Sequence, residues 1–163
     1  MNVRRCGMAS RWLPVLLIMA TVVTADAQYR YATSGGTITI TGYAGTGSVV
    51  VIPEDINGLP VSSIGKEAFY GLTNLTSVTI ASNVTKIGDW AFYDCTGLTN
   101  LIIQSRTVKI GDWALHHCSS LTSFTIGTNV TRLGDWAYAR AGTNLTVLHA
   151  PKQTHQPRGR GVQ

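Results

Sequence analysis

Residues 64–86 read IGKEAFYGLTNLTSVTIASNVTK, residues 87–109 read IGDWAFYDCTGLTNLIIQSRTVK, and residues 110–132 read IGDWALHHCSSLTSFTIGTNVTR. They follow one another without a gap, so Ile64-Gly65, Ile87-Gly88, Ile110-Gly111 and Leu133-Gly134 each begin 23 residues after the last. A fourth unit, LGDWAYARAGTNLTVLHAP, reads as carrying one extra residue before Leu145 and then stopping. A fixed period with matched apolar positions is the signature of stacked repeats, in which no unit buries its apolar side alone and neighbours complete the core.

Two textures alternate within each unit. The second half spaces its apolar residues as L-x-x-L-x-L: Leu75/Val78/Ile80, Leu98/Leu101/Ile103, Leu121/Phe124/Ile126 and Leu145/Leu148/Ala150. Residues two apart in an extended chain share a face, so Val78 and Ile80 are expected inside and Thr79 outside. Asn83 and Asn129 extend the pattern with an amide suited to turning backbone, and Arg106 breaks it in the second unit. The first half, Gly-Asp-Trp-Ala-Phe, predicts a short helix or 3-10 turn with Ala91 and Phe92 inward. Asp89, Asp112 and Asp135 are expected to cap that turn.

Working outward, Ile38/Ile40 and Val49/Val51 read as two alternating strands joined by a Gly-rich turn, a β-hairpin-like cap for the first unit. Before them, Arg4, Arg5 and Arg11 precede an apolar run from Trp12 to Thr24, and Ala25-Asp26-Ala27 supplies small residues for cleavage. That is the pattern of a secretory signal peptide cleaved after Ala27. The run is short for a span of about 20 residues, so no stable membrane segment is expected after removal. The chain divides into a signal peptide (1–27), an N-terminal β cap (28–60), a solenoid (61–151) and a disordered basic tail (152–163).

The motifs A-F-x-x-C-x-x-L-T-x-x-x-I and I-G-D-x-A-F, from about Val61 to Ala150, resemble BspA-type leucine-rich repeats. The stretch Tyr29–Pro60 is similar to the lead-in of bacterial members. The resemblance implies a right-handed solenoid with a parallel sheet along one face, in secreted or cell-surface proteins that bind other macromolecules. It implies no catalytic activity and no cofactor.

Charge is informative mainly as an exclusion. The formal net charge is +5, yet the segment from Gln28 to Pro151 holds seven basic and seven acidic residues. With no basic stripe apparent, nucleic acid is not expected as a ligand. Cys95 and Cys118 are repeat-equivalent on rungs about 5 Å apart, close enough for a disulfide. Leu72 and Ala141 at the same place point instead to buried thiols. Adjacent His116 and His117 suggest a metal site only weakly; variation on the outer surface is the simpler reading. No G-x-S-x-G elbow or phosphate loop is present.

Two surfaces remain as binding candidates. The strand face carries columns Ser77/Asn100/Ser123 and Thr79/Ile102/Thr125/His149, expected to meet a protein or other cell-surface partner. The other is a ladder of Trp90, Trp113 and Trp136, which would either grip polysaccharide or shield the turn side of the solenoid. Asn74, Asn83, Asn129 and Asn144 begin N-x-T sequons that follow the repeat. The early loss of pattern in the fourth unit leaves open a homotypic contact through that edge, or a truncated, non-functional fragment of a longer repeat protein.

Overall fold

The computed structural model of the chain describes residues 25–104, 106–126, 129–142 and 146–148. The leader before Ala25, His149, Asn144 and the basic tail lie outside them. Among the described residues a 3-10 turn, Ala25–Gln28, leads into twelve strands: β1 (Tyr29–Ser34), β2 (Thr37–Tyr43), β3 (Val49–Val51), β4 (Asp55–Ile56), β5 (Leu59–Ile64), β6 (Ser77–Ile80), β7 (Lys86–Ile87), β8 (Asn100–Ile103), β9 (Lys109–Ile110), β10 (Ser123–Thr125), β11 (Arg132–Leu133) and β12 (Thr146–Leu148).

The chain is a solenoid whose repeats stack as rungs, with a parallel ladder on two sides. A five-stranded sheet runs β12-β10-β8-β6-β3, all parallel. It holds the L-x-x-L-x-L strands in a register of 23 residues, Ser77 beside Asn100 beside Ser123. A second sheet, in the order β1-β2-β5-β7-β9-β11, continues the stack through strands of only two residues.

The core follows the repeat. Val78, Ile80, Leu98, Leu101, Leu121 and Phe124 are fully buried, as are Ala91 and Phe92. A column of rings passes through it, with Tyr43–Phe69 centroids 5.6 Å apart and Phe69–Phe92 stacked at 4.9 Å. Thr107 replaces a core valine, and its hydroxyl donates to the Val84 carbonyl at 2.8 Å. Burial therefore leaves no unpaired hydroxyl there.

The turn half of each rung is built from single turns. Tyr93 N–H donates to Trp90 O and Cys95 N–H to Phe92 O, three residues back in each case. The intervening amides point along the stack: Phe69, Phe92 and Leu115 donate to Ala91, Ala114 and Ala137 of the next rung at 2.8, 2.8 and 2.6 Å. Glu67, Trp90, Trp113 and Trp136 stand in left-handed backbone, at φ 58, 61, 57 and 57°. Each such residue costs about 1–2 kcal/mol; at Glu67, Trp90 and Trp113 the N–H donates to Asp89, Asp112 and Asp135 of the next rung at 3.1, 2.9 and 3.0 Å, which offsets it.

The N-terminal region and the last strand differ from expectation. The hairpin is β1 with β2, joined at Gly35-Gly36; β2 also pairs in parallel with β5, and β3 joins the other sheet through β6. Val49 and Val51 are 64% and 63% exposed while Val50 is buried, the reverse of the alternation expected for them. Pairing with β6 explains this, since Val50 is placed beside the buried Val78. In the fourth unit the strand keeps the 23-residue step: Val147 pairs with Phe124 and Leu148 with Thr125, so no extra residue separates the strands.

The repeated Ile-Gly pair has a steric cause. Gly88 and Gly111 donate their N–H to Ile64 and Ile87 of the rung before, at 2.8 and 2.9 Å. A Cβ on Gly88 would lie 2.7 Å from Gly65 C and Lys66 N, backbone atoms that cannot yield alone. Gly88→Ala should cost about 1–3 kcal/mol through overpacking, read as a lower denaturant midpoint. A variant as stable as the parent would show that the rungs are not in contact there.

Candidate functional site

The strand-face candidates fall into two files. Val49, Ser77, Asn100, Ser123 and Thr146 form one by register, and Val51, Thr79, Ile102, Thr125 and Leu148 the other. Ser77, Thr79, Asn100, Ile102, Ser123 and Thr125 are all half-buried, flanked by the exposed Val49 and Val51. Thr125 has Leu148 beside it where His149 was expected, because the strand register carries no insertion. Asn100 Nδ2 donates to Ser77 Oγ at 3.4 Å, so the amide bridges two rungs. At the strand entrance Thr76, Thr99 and Thr122 donate hydroxyls to Ser48, Thr76 and Thr99 carbonyls at 3.0, 2.9 and 3.1 Å. These threonines fasten rung to rung and leave the outward files to meet solvent.

Trp90, Trp113 and Trp136 form a continuous ladder, with centroids 6.2 and 5.8 Å apart. A second column, not anticipated as such, runs beside it. Tyr70–Tyr93 stack at 5.2 Å and 7°, and Tyr93–His116 at 5.4 Å and 9°. The columns touch through Trp90–Tyr93 and Trp113–His116 at 5.2 and 4.5 Å. The signal was available: residues 70, 93 and 116 are repeat-equivalent and all cyclic. Along both columns the faces of the inner rings are turned to other rings, which leaves mainly edges for a ligand.

His116 is therefore not outer-surface variation. It is buried among Tyr93, Trp113 and His117, and its Nδ1 has no hydrogen-bond partner among the described residues. Burial, then His117 and Arg140 nearby, hold its pKa below the ordinary histidine value. His117 is more open, with Nε2 at 3.3 Å from Arg140 Nη1 and Nδ1 at 4.0 Å from Asp94 Oδ1. Among the described residues no three His, Cys, Asp or Glu side chains converge on a metal position.

The aspartates act between rungs. Asp112 N–H donates to Asp89 Oδ1 at 3.0 Å and Asp135 N–H to Asp112 Oδ1 at 2.9 Å. Each carboxylate thus caps the next rung, where a cap on its own turn was expected. Cys95 and Cys118 are free, fully buried thiols whose Sγ atoms donate to Phe69 O and Phe92 O at 3.0 and 3.1 Å. Burial pushes the Cys95 thiol up to about 12 and raises Cys118 as well.

The charge count concealed a stripe. Lys86 pairs in register with Lys109, and Lys109 with Arg132, so three of the seven basic residues between Gln28 and Pro151 stand in file on the second sheet. Among the described residues, none of the three makes an ion pair.

Residues 50–157 match the profile of the BspA type leucine rich repeat region, in six copies. A leucine-rich repeat protein from Bacteroides capillosus is 31% identical with a TM-score of 0.65, over 74% of this chain and 92% of that one. The T. pallidum leucine rich repeat protein is 29% identical with a TM-score of 0.65, over 74% and 68%. A leucine rich cell surface protein of Faecalibacterium prausnitzii is 28% identical with a TM-score of 0.56, over 76% of this chain and 42% of that one. No curated protein matches the chain.

Two measurements follow from the buried groups. Because the folded state resists protonating His116, its contribution to stability is complete above the unfolded pKa of about 6.5 and declines as pH falls below it. Denaturant midpoints from pH 8 to 5 should fall for the parent and fall less for His116→Tyr, which restores the residue type found at 70 and 93. Equal pH dependence in both would remove His116 from the account. Separately, a thiol reagent at pH 8 should leave Cys95 and Cys118 unmodified in the native protein and label both after denaturation. Fast native labelling would contradict their burial.

Proposed function

The chain belongs to the BspA-type leucine-rich-repeat family, and on that premise we propose that it is a secreted or cell-surface binding module whose strand face meets a protein partner, with no catalysis. The observation that carries the reading is the file of half-buried side chains Ser77, Asn100 and Ser123, with Thr79, Ile102 and Thr125 beside it. These are short side chains on a hydrogen-bonded sheet, so little conformational freedom is lost when a partner covers them. Val49 and Val51 add exposed apolar area at one end, as the buried centre of an interface needs. The similar Faecalibacterium prausnitzii protein is described as a cell surface protein.

Export through the leader is part of the proposal. The first residues after the cleavage point are already tied into the fold: Ala44 N–H donates to Gln28 O at 2.8 Å and Tyr43 OH to Gln28 Oε1 at 3.0 Å. Tyr29 is buried and its hydroxyl donates to Val51 O at 3.0 Å. A chain beginning at Gln28 keeps all these bonds. The tryptophan ladder supports polysaccharide binding less well, because sugar recognition uses open ring faces and these rings spend theirs largely on one another.

Expressed with its own leader, the protein should appear in the medium with Gln28 as its first residue. Asn100→Arg, which puts a long charged side chain in the middle of the face, should reduce retention on the target cell surface at least about tenfold while the fold is kept. Trp136→Ala should leave retention unchanged. Full binding by Asn100→Arg, or a loss confined to Trp136→Ala, would move the site to the other side of the solenoid.

A further inference from the structure

Positions 71, 94, 117 and 140 are repeat-equivalent and hold Gly71, Asp94, His117 and Arg140, all in left-handed backbone at φ 69, 58, 64 and 56°. At this corner of the turn one amide links each rung to the next. Gly71 donates to Tyr93 O at 2.8 Å, Asp94 to His116 O at 3.0 Å and His117 to Ala139 O at 3.4 Å. The backbone link lengthens along the stack and is longest between the third and fourth rungs. There a side-chain contact adds to it, with Arg140 Nη1 at 3.3 Å from His117 Nε2. A guanidinium has donors only, so Nε2 carries the lone pair and the ring proton sits on Nδ1. That nitrogen lies 4.0 Å from Asp94 Oδ1 on the rung before. His117 is thus a neutral ring set between an acid on the second rung and a base on the fourth.

We infer that His117 is an acid-operated latch for this corner of the fourth rung. A second proton on the ring converts Nε2 from acceptor to donor. The bond from Arg140 is then lost and two cations face each other, while the new charge strengthens the attraction to Asp94. The grip passes from the fourth rung to the second. Histidine is the side chain that makes such a change in mildly acidic water. Two further titratable groups touch the ring: Tyr93 at 5.5 Å between centroids, a phenol, and His116 at 4.3 Å, whose burial disfavours its charged form. Deeper in the same turn Leu115 donates to Ala137 O at 2.6 Å, a backbone bond with no titrating group in it. Acid therefore loosens residues 139–142 and leaves the rest of the rung seated. The latch lies on the turn side and does not depend on the strand-face reading.

The test follows the full chain by NMR from pH 8 to 5, reading the His117 ring resonances and amide protection, corrected for the intrinsic pH dependence of exchange, on one sample. Gly142 N–H joins the fourth rung to Cys118 O of the third, and Asp94 N–H joins the second rung to the third. The ratio of Gly142 to Asp94 protection cancels any general loosening from His116. As the His117 ring takes up its proton, that ratio should fall about fivefold, the factor for one exposed ion pair. His117→Gln, which stays neutral, should hold the ratio constant across the range. Arg140→Gln, whose amide oxygen can accept from the protonated ring, should do the same. A ratio that stays constant in the parent while the ring titrates, or one that falls as far in either variant as in the parent, would overturn the latch.

Discussion

Everything in this molecule depends on one constraint: a single rung cannot satisfy its own backbone. Buried amides and carbonyls must be paired, and here the partner is nearly always the neighbouring repeat. In the sheets this is ordinary parallel pairing. In the turns it is less ordinary, because Phe69, Phe92 and Leu115 donate forward to Ala91, Ala114 and Ala137, so the ladder persists where the chain bends most sharply. The left-handed backbone at Trp90 and Trp113 accompanies this forward donation. The threonine hydroxyls and aspartate carboxylates that reach one rung back or forward are further bonds of the same kind.

Such a ladder also decides what a surface can be. With a fixed 23-residue step, equivalent residues stand in file on the outside, so a residue type kept from repeat to repeat becomes a continuous strip. Ser77, Asn100 and Ser123 give a small polar file, Lys86, Lys109 and Arg132 a cationic one, and Trp90, Trp113 and Trp136 an aromatic one. Their roles separate according to what each file already does within the fold. The tryptophans and the Tyr70–Tyr93–His116 stack are largely occupied with one another. The strand-face side chains have few partners among the described residues, which is why binding is assigned to that face.

Much of this was legible in the sequence. The interval between Ile-Gly pairs gave the rung, and the alternation at Val78-Thr79-Ile80 gave the correct inward face. Leu72 and Ala141 beside the cysteines marked their site as interior, where both thiols are found. What escaped has physical reasons. Strands of two residues such as Lys86–Ile87 are too short for periodicity to register, so the second sheet and its cationic file were invisible. Val49-Val50-Val51 is apolar throughout, and only pairing with β6 decides that Val50 turns in. His116 looks like a surface residue until the stacked tyrosines beside it are seen. The aspartates suggested local caps because sequence order displays a neighbour in the chain and conceals the neighbour one rung away.

The central claim is that the turns are bonded from rung to rung and are not loose connections between strands. Amide hydrogen exchange on the native protein, resolved to single residues, tests it most directly. The N–H groups of Phe92 and Leu115, outside any strand, should exchange as slowly as those of Leu101 and Phe124 within the five-stranded sheet. Exchange at Phe92 and Leu115 as fast as in an exposed loop would contradict the inter-rung ladder.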